Sequence, residues 1–265
     1  MDFGQKRVLG RTGLEAGRLG VAAGYGAPAA AFEEAFAQGC NYFYWGSRRT
    51  PAMAETIRQL TQQGKRDKLV VVVQVYNRIA SLMAGSVERA LCKGRLEYAD
   101  VLLLGWYNAL PAPRILEAAA KLKERGLVKF LAMSGHHRPA FPIVAEKNLF
   151  DLFHVRYNAA HRGAETEVFP KLPAGNRPGI VTYTATRWGN LLKPGKMPPG
   201  EKTPRASDCY RFVLSHPAVD VCLTGPKNLA EMKEALLTLT HGPLCEEEMA
   251  WMRRVGDHLH GKGWF

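Results

Sequence analysis

Four polar side chains follow buried, strand-like segments, and their types suit proton transfer and anion binding: Tyr44, Arg49, His154 and Arg156. Two of them lie in the stretch NYFYWGSRRTPAMAETI, and the other two lie in FHVRYN. Residues two apart on a strand point to the same side, so His154 and Arg156 share a face. Histidine titrates near neutral pH, and arginine binds carboxylates and phosphates. Together they predict a site that pairs an acid or base with an anion clamp.

Each of these side chains also has a purely structural interpretation. The run from Tyr42 to Trp45 could be aromatic core packing, and a lone inward histidine is more often a satisfied core group than a catalyst. The arginine two residues after His154 favours a site, because a buried guanidinium needs a partner. We therefore expect a carboxylate such as Glu165, or an anionic ligand, beside Arg156.

The surrounding segments alternate between strand and helix patterns. Lys68 to Val75, KLVVVVQV, is a nearly continuous β-branched run, which is typical of a parallel strand buried on both faces. About eight such strand–helix units predict a (β/α)8 TIM barrel, with a doubly wound sheet as the alternative. Residues 6 to 19 predict an N-terminal β-hairpin, and Glu246 to Gly261 predicts an extra C-terminal helix. In a barrel, the four polar side chains would meet at the C-terminal mouth.

The composition of the chain bears on its number of domains, its location and its partners. The chain has 265 residues, 46% of them hydrophobic, which fits one domain spanning residues 1–265. Five scattered cysteines without a CxxC pair favour neither a metal site nor disulfides, and so predict a cytoplasmic protein. The sequence predicts no membrane segment. Its net charge of +12 is dispersed, which favours an anionic small-molecule substrate over nucleic acid and leaves the oligomeric state open.

Several short motifs occur in a recognisable order: LGRTGLEAGRLG, GCNYF, RDKLVVVV, SVERAL with YADVLLL, LKERGLVKFLAMS, VRYN and LTGPKNLAEMKEAL. In this order and spacing, the chain resembles the aldo-keto reductase superfamily of NAD(P)(H)-dependent TIM barrels over nearly its whole length. The resemblance implies the same barrel and a nicotinamide cofactor, here NADP(H).

The resemblance also implies positions for the catalytic tetrad of that family: an aspartate, a tyrosine, a lysine and a histidine. These positions hold Tyr44, Arg49, Gln74 and Gly105. The family needs a tyrosine acid whose pKa is lowered by the lysine and the aspartate, and neither charge is present here. We therefore do not expect ordinary aldehyde reduction, and Gly105 is expected to leave space in the pocket.

The implied cofactor contacts are partly retained. The nicotinamide holders map to Ser134, Gly135 and His154, and the ring-stacking residue lies near Tyr183 and Thr184. Of the three holders, only the serine is kept.

At the other end, the resemblance assigns Lys227 to the adenosine phosphate and Glu231 to the adenine. Asn228 and Glu231 could equally form only a helix N-cap with a capping box. The cofactor-binding set is therefore Ser134, Tyr183, Thr184, Lys227, Asn228 and Glu231.

Three functions remain open. The first is an NADP(H)-linked oxidoreductase in which Tyr44 or His154 supplies the proton for an anionic substrate. The second is a cofactor-free isomerase or lyase, with His154 as base and Arg49 or Arg156 as anion clamp. The third is a catalytically silent protein that senses a dinucleotide. We further predict that His154 and Arg156 face a pocket at the C-terminal mouth of the barrel and form its reactive centre together with Tyr44 and Arg49.

Overall fold

The computed structural model describes residues 2–46 and 48–260. Over these residues, eight parallel strands form a closed barrel in the order β10-β3-β4-β5-β6-β7-β8-β9, and β1 and β2 form a separate antiparallel hairpin. The strands are β1 (Arg7–Val8), β2 (Glu15–Ala16), β3 (Leu19–Ala22), β4 (Tyr42–Gly46), β5 (Val70–Val75), β6 (Ala99–Leu104), β7 (Val128–Gly135), β8 (Leu152–Arg156), β9 (Gly179–Tyr183) and β10 (Val221–Thr224).

A helix follows each barrel strand, and one more helix ends the described chain. The helices are α1 (Ala29–Ala37), α2 (Pro51–Gln62), α3 (Met83–Gly94), α4 (Pro113–Glu124), α5 (Ala140–Ala145), α6 (Ala164–Glu167), α7 (Ala206–Leu214), α8 (Leu229–His241) and α9 (Glu246–His260). The predicted (β/α)8 barrel with a hairpin and an added C-terminal helix is confirmed. Pairing of β3 with β10 closes the ring and rules out the doubly wound sheet. The predicted helix end at Gly261 lies outside the described residues.

Side chains alternate between two cores along the strands. On β5, Val70 and Val72 belong to a cluster inside the barrel, whereas Val71, Val73 and Val75 pack outward against the helices. The strand is buried on both faces, which explains its unbroken β-branched sequence. The interior is therefore filled with side chains, and a ligand can be held only at an end of the barrel.

The N-terminal hairpin closes one end of the barrel. Leu9 and Ala16 are fully buried in the inner cluster, below the first residues of the strands. Asn41, just before β4, fixes the hairpin: its Oδ1 accepts the Gly17 N–H at 2.8 Å, and its Nδ2 donates to the Glu15 carbonyl at 2.9 Å. The predicted N-terminal hairpin thus closes the N-terminal end of the barrel, and the opposite end is open.

Buried carboxylates hold the same closed end together. Asp220 is 1% exposed, accepts hydrogen bonds from both terminal nitrogens of Arg177 at 2.6 and 2.9 Å, and accepts the Ile180 N–H at 2.8 Å. Asp100 pairs with Arg66 at 2.8 Å and accepts the Val71 N–H at 2.8 Å. Each carboxylate ties one strand to the next, so this end contributes to stability.

Local side chains set two helix ends. Helix α6 stops at Glu167 and is followed by a 3-10 turn over Phe169–Lys171, because Pro170 has no N–H to donate. At the start of α7, the Asp208 carboxylate accepts the Arg205 N–H. Within the described residues, no helix combines the length and apolar character needed to cross a membrane.

Candidate active site

A cavity of about 1080 Å³ opens at the C-terminal ends of the barrel strands. It runs from Tyr44 and Gln74, above the inner core, to Lys227 at the start of α8. Large aromatic side chains contribute to its walls, among them Tyr25, Tyr76, Trp106, Tyr183 and Trp188. An apolar cavity with a few polar groups at this end of a barrel is where ligand binding is expected.

Two hydrogen-bonded pairs lie at the inner end of this cavity, and Tyr42 of the second pair belongs to the buried core beneath it. The Tyr44 hydroxyl donates to Gln74 Oε1, and the Tyr42 hydroxyl lies 2.8 Å from His154 Nε2. The Tyr44 and His154 ring centroids are 5.7 Å apart, so the two pairs are neighbours. Within the described part of the chain, no group of three or more His, Cys, Asp or Glu side chains is placed to hold a metal ion.

Gly105 does not leave an empty space in the cavity, contrary to our expectation. A Cβ atom built on this residue would lie 2.3 Å from Gln74 Nε2 and 2.6 Å from Tyr76 Cε1. The amide and the ring occupy the volume that a side chain at position 105 would need. The glycine is therefore packed against its neighbours, and it allows Gln74 to reach Tyr44.

Burial keeps these groups neutral. Burial, and then the neighbouring Tyr76, raises the pKa of Tyr44 well above its ordinary value. Burial also lowers the pKa of His154 to about 3, and this side chain is only 2% exposed. The prediction that His154 titrates near neutral pH is wrong, because its solvation is lost without a compensating negative charge. Tyr44 keeps its proton at neutral pH, and His154 is uncharged.

Arg49 points away from the cavity toward α3. Its Nη2 lies 2.9 Å from Ser86 Oγ and 3.4 Å from the Gln74 carbonyl oxygen. The backbone φ angles are positive at Gly46 (71°) and Arg49 (50°). These angles turn the chain after β4, so that the Arg49 side chain lies on the outer side of the barrel. The prediction that Arg49 lines the pocket is wrong in position.

Arg156 lies at the end of β8, opposite Tyr183 in the strand register. It shares the inward face with His154, but it lies outside the residues that line the cavity. The positive charge of Arg156 acts on the cavity wall. Burial lowers the pKa of His136 most, and the charge of Arg156 lowers it further. The expected carboxylate is engaged elsewhere: Glu165 accepts the Tyr157 hydroxyl at 2.7 Å and pairs with Arg253 at 3.1 Å. Of the four predicted residues, the structure thus brings Tyr44 and His154 together in the cavity wall.

Three predicted cofactor residues line the middle of the cavity. Ser134 Oγ accepts the Trp106 N–H at 3.1 Å and keeps its own hydroxyl proton for a ligand. The Tyr183 hydroxyl donates to the Gly135 carbonyl at 3.2 Å, which fixes the ring. Thr184 follows with φ of 61°, and its hydroxyl donates to the Tyr183 carbonyl at 2.6 Å. This wall therefore presents one hydroxyl donor and one flat aromatic face.

The far end of the cavity lies at the N-terminus of α8. Lys227, Glu231 and Arg205 line it. Asn228 caps the helix instead, because its Oδ1 accepts the Glu231 N–H at 2.9 Å and Glu231 Oε2 accepts the Lys227 N–H at 2.9 Å. Asn228 is therefore the N-cap, but the predicted capping box is not formed, because Glu231 accepts the N–H of Lys227 and not that of Asn228. The Lys227 side chain lines the cavity.

Several wall residues were missed by the sequence analysis. Tyr76 and Trp106 stand one and two residues after β5 and β6, and this position could have identified them. Tyr25 and Trp188 come from loops with no periodic pattern, so no sequence signal marked them. The missed residues include four large aromatic side chains of the cavity wall, Tyr25, Tyr76, Trp106 and Trp188.

Several solved structures share the fold of this chain. The holo form of an aldo-keto reductase from Bacillus halodurans superposes with a TM-score of 0.78, at 17% sequence identity over 95% of this chain and 96% of that one. Its apo form gives 0.75, at 18% identity over 95% of both chains. The chain has the aldo-keto reductase fold. A protein from Pseudomonas aeruginosa described as an aldo-keto reductase gives 0.70, at 20% identity over 91% of this chain and 98% of that one.

Sequence comparisons add no further assignment. No protein-family model matches the chain, and no curated protein matches it. At these identities, the shared aldo-keto reductase fold describes the architecture and leaves the activity to be argued from the site.

Proposed function

We propose that this protein is an NADP(H)-linked oxidoreductase whose proton donor is Tyr44. The observation that carries the proposal is one continuous cavity with a hydroxyl donor at its inner end and a lysine beside a helix N-terminus at its outer end. That arrangement suits a long ligand with a reactive ring and phosphate groups.

The residues present fit such a cofactor at both ends. Lys227 and Arg205 provide positive charge beside the first turn of α8, where the helix dipole also favours phosphate. Ser134 and Tyr183 provide a hydroxyl donor and an aromatic face for a carboxamide-bearing ring. The bound cofactor would supply the hydride, which no side chain can.

Tyr44 would act as a weak general acid. Its hydroxyl is protonated at neutral pH and already points along a hydrogen bond to Gln74, so a substrate oxygen must replace the amide as acceptor. The resulting phenolate would be buried without a neighbouring positive charge. General acid catalysis contributes about 10²–10⁴-fold, and an untuned donor supplies only part of this. Slow reduction of simple aldehydes follows from this geometry.

The substrate is proposed to carry a negative charge. Arg156 lies beside Tyr183 and influences His136, a residue of the cavity wall. Burial and then Arg156 and Arg187 lower the pKa of His161 to about 4, which indicates a positive potential on this side. A carboxylate or phosphate on the substrate would be attracted to the same side.

A second candidate is a dinucleotide sensor without turnover. It is favoured by the raised pKa of Tyr44, the opposite of what a tuned acid needs. The isomerase or lyase hypothesis loses its support, because a histidine with a pKa of about 3 is a poor base at neutral pH.

Cofactor titration tests the proposal first. Calorimetry should show saturable NADPH binding that is tighter than NADH binding, and Lys227→Ala should weaken NADPH binding by roughly tenfold. Lys233→Ala is the matched control, because this lysine is exposed on the same helix and lies outside the cavity wall. Absence of NADPH binding would reject both candidates.

Tyr44→Phe then separates the oxidoreductase from the sensor. The variant removes only the hydroxyl, so NADPH affinity should persist while NADPH oxidation with carboxylate- or phosphate-bearing aldehydes falls to background. An unchanged oxidation rate in Tyr44→Phe would assign the proton to another group. If the wild-type protein binds NADPH and oxidises it with none of these aldehydes, the sensor becomes the better description.

A further inference from the structure

A second cavity lies in the helical layer, next to the outer end of the main cavity. It has a volume of about 540 Å³ and lies between the loop before α7, the first turn of α7, the end of α8, and α9. We call it the outer pocket and define it by Lys202, Arg205, Arg211, Glu248 and Trp251. None of the residues assigned above to catalysis lines it.

The carboxylate of Glu248 in this pocket is already satisfied. It accepts hydrogen bonds from both terminal nitrogens of Arg211, at 3.0 and 2.8 Å, and from the Cys245 N–H at 3.0 Å. These bonds lower the pKa of Glu248, so it remains an anion paired with one cation. The neighbouring Asp208 carboxylate accepts the Arg205 N–H at 2.9 Å.

Two other positively charged side chains line the outer pocket, those of Lys202 and Arg205. Over residues 2–46 and 48–260, neither Lys202 nor the guanidinium of Arg205 forms an ion pair with a carboxylate. The Lys202 ammonium instead lies 4.3 Å from the centre of the Trp251 ring. Both side chains are exposed at the pocket edge, so an incoming anion can reach them.

The indole N–H of Trp251, another residue of the outer pocket, lacks a hydrogen-bond acceptor among the described residues. The Trp251 side chain is 5% exposed, and this N–H is buried. An indole N–H can only donate, and a buried donor is usually satisfied. This N–H lies in the plane of the ring and has almost no accessible surface, whereas Lys202 lies over the ring face, so an oxyanion beside Lys202 reaches the N–H only when the Trp251 ring shifts.

We propose that the outer pocket binds a small oxyanion, a phosphate or a carboxylate, and that Arg205 couples it to the main cavity. Arg205 lines both cavities, so one guanidinium can serve an anion on either side. An oxyanion in the outer pocket draws Arg205 away from the main cavity and lowers its affinity for a dinucleotide. Binding linkage is reciprocal, so the dinucleotide equally weakens the oxyanion. Only this coupling rests on the proposed function.

Binding is tested by calorimetric titration with inorganic phosphate, without nucleotide and at constant ionic strength. The wild-type protein should bind phosphate saturably, and Lys202→Gln and Trp251→Phe should each weaken binding by about fivefold or more. Lys233→Gln removes an exposed lysine outside both cavities and should bind phosphate as the wild type does. A parallel titration with acetate decides between phosphate and carboxylate.

Two results would show that the outer pocket does not bind an oxyanion. Absence of saturable binding of either anion, or equal binding by Lys202→Gln and the wild type, would overturn the site. Thermal unfolding confirms that each variant is folded, and Lys202→Gln alone decides if Trp251→Phe is unfolded.

Coupling is tested by titrating NADPH with and without saturating phosphate. Phosphate should weaken NADPH binding by roughly fivefold in the wild type, and this effect should disappear in Lys202→Gln. The same weakening in Lys202→Gln would show direct competition in the main cavity and overturn the coupling. If NADPH does not bind at all, the proposed function fails, while the phosphate titration still decides the outer pocket.

Discussion

At the scale of single residues, Gly105 matters because of the atom that it lacks. Its missing Cβ lets Gln74 and Tyr76 pack over the backbone, and Gln74 in turn accepts the hydrogen bond from Tyr44. Three positions that the family resemblance assigns to catalytic groups therefore hold a set of mutually packed residues. Changing one of them alone should disturb the other two.

Gly105→Ala should destabilise the protein by about 1–3 kcal/mol, because the added methyl would overlap the Gln74 amide and the Tyr76 ring. Urea unfolding measures this change. Gly195→Ala is the matched control, since a Cβ there meets no atom within 4 Å, and it should change stability by less than about 0.5 kcal/mol. Equal effects of the two substitutions would contradict the packing argument.

His154 predicts a pH dependence of stability. Its pKa is about 3 in the folded protein against 6.5 ordinarily, so between these values the unfolded chain binds the extra proton. The free energy of unfolding therefore decreases as the pH falls from 6.5 toward 3. The contribution of His154 to this decrease is up to about 1.4 kcal/mol per pH unit. His154→Gln, which cannot titrate, should show a shallower decline in urea unfolding measured from pH 7 to pH 4.

Other histidines keep part of that pH dependence in the variant. His161, with a pKa of about 4, contributes with the same sign. His137→Gln makes the same change of side chain at an exposed position and is the control for the substitution itself. An identical slope in His154→Gln and the wild type would show that His154 is not held neutral by burial.

At the scale of elements, the start of α8 separates a structural role from a binding role. Asn228 caps the helix, whereas Lys227 faces the cavity. Asn228→Ala should cost about 1 kcal/mol of stability and leave NADPH affinity nearly unchanged. Urea unfolding and NADPH calorimetry on the same sample measure both quantities. A large loss of NADPH affinity, at unchanged stability, would instead make Asn228 a ligand contact.

The elements were predictable where periodicity is strong. The β-branched run from Lys68 to Val75 predicted strand β5, because burial on both faces requires an apolar residue at nearly every position. Side-chain parity also placed His154 inside the barrel. Arg49 could not be placed, because its direction depends on positive φ angles in the turn after β4. The charge state of His154 depends on burial by distant segments, which no local pattern records.

At the scale of the whole molecule, the two ends of the barrel have different roles. The hairpin and the buried carboxylates close the N-terminal end, and the cavity occupies the other. Asp220→Asn should cost about 3–5 kcal/mol, since it leaves Arg177 without its buried partner. NADPH affinity of the folded fraction should persist. Asp67→Asn, at an exposed position of the same end, is the control and should unfold like the wild type.

Pairing between β3 and β10 has a consequence for the growing chain. Strand β3 is complete at Ala22, but its partner begins only at Val221. During synthesis, one side of β3 therefore stays without its neighbour until almost the entire barrel has left the ribosome. Unpaired strand edges attract other chains. The interval before ring closure is thus when this protein is most exposed to aggregation, and a chaperone that shields β3 would act in that interval.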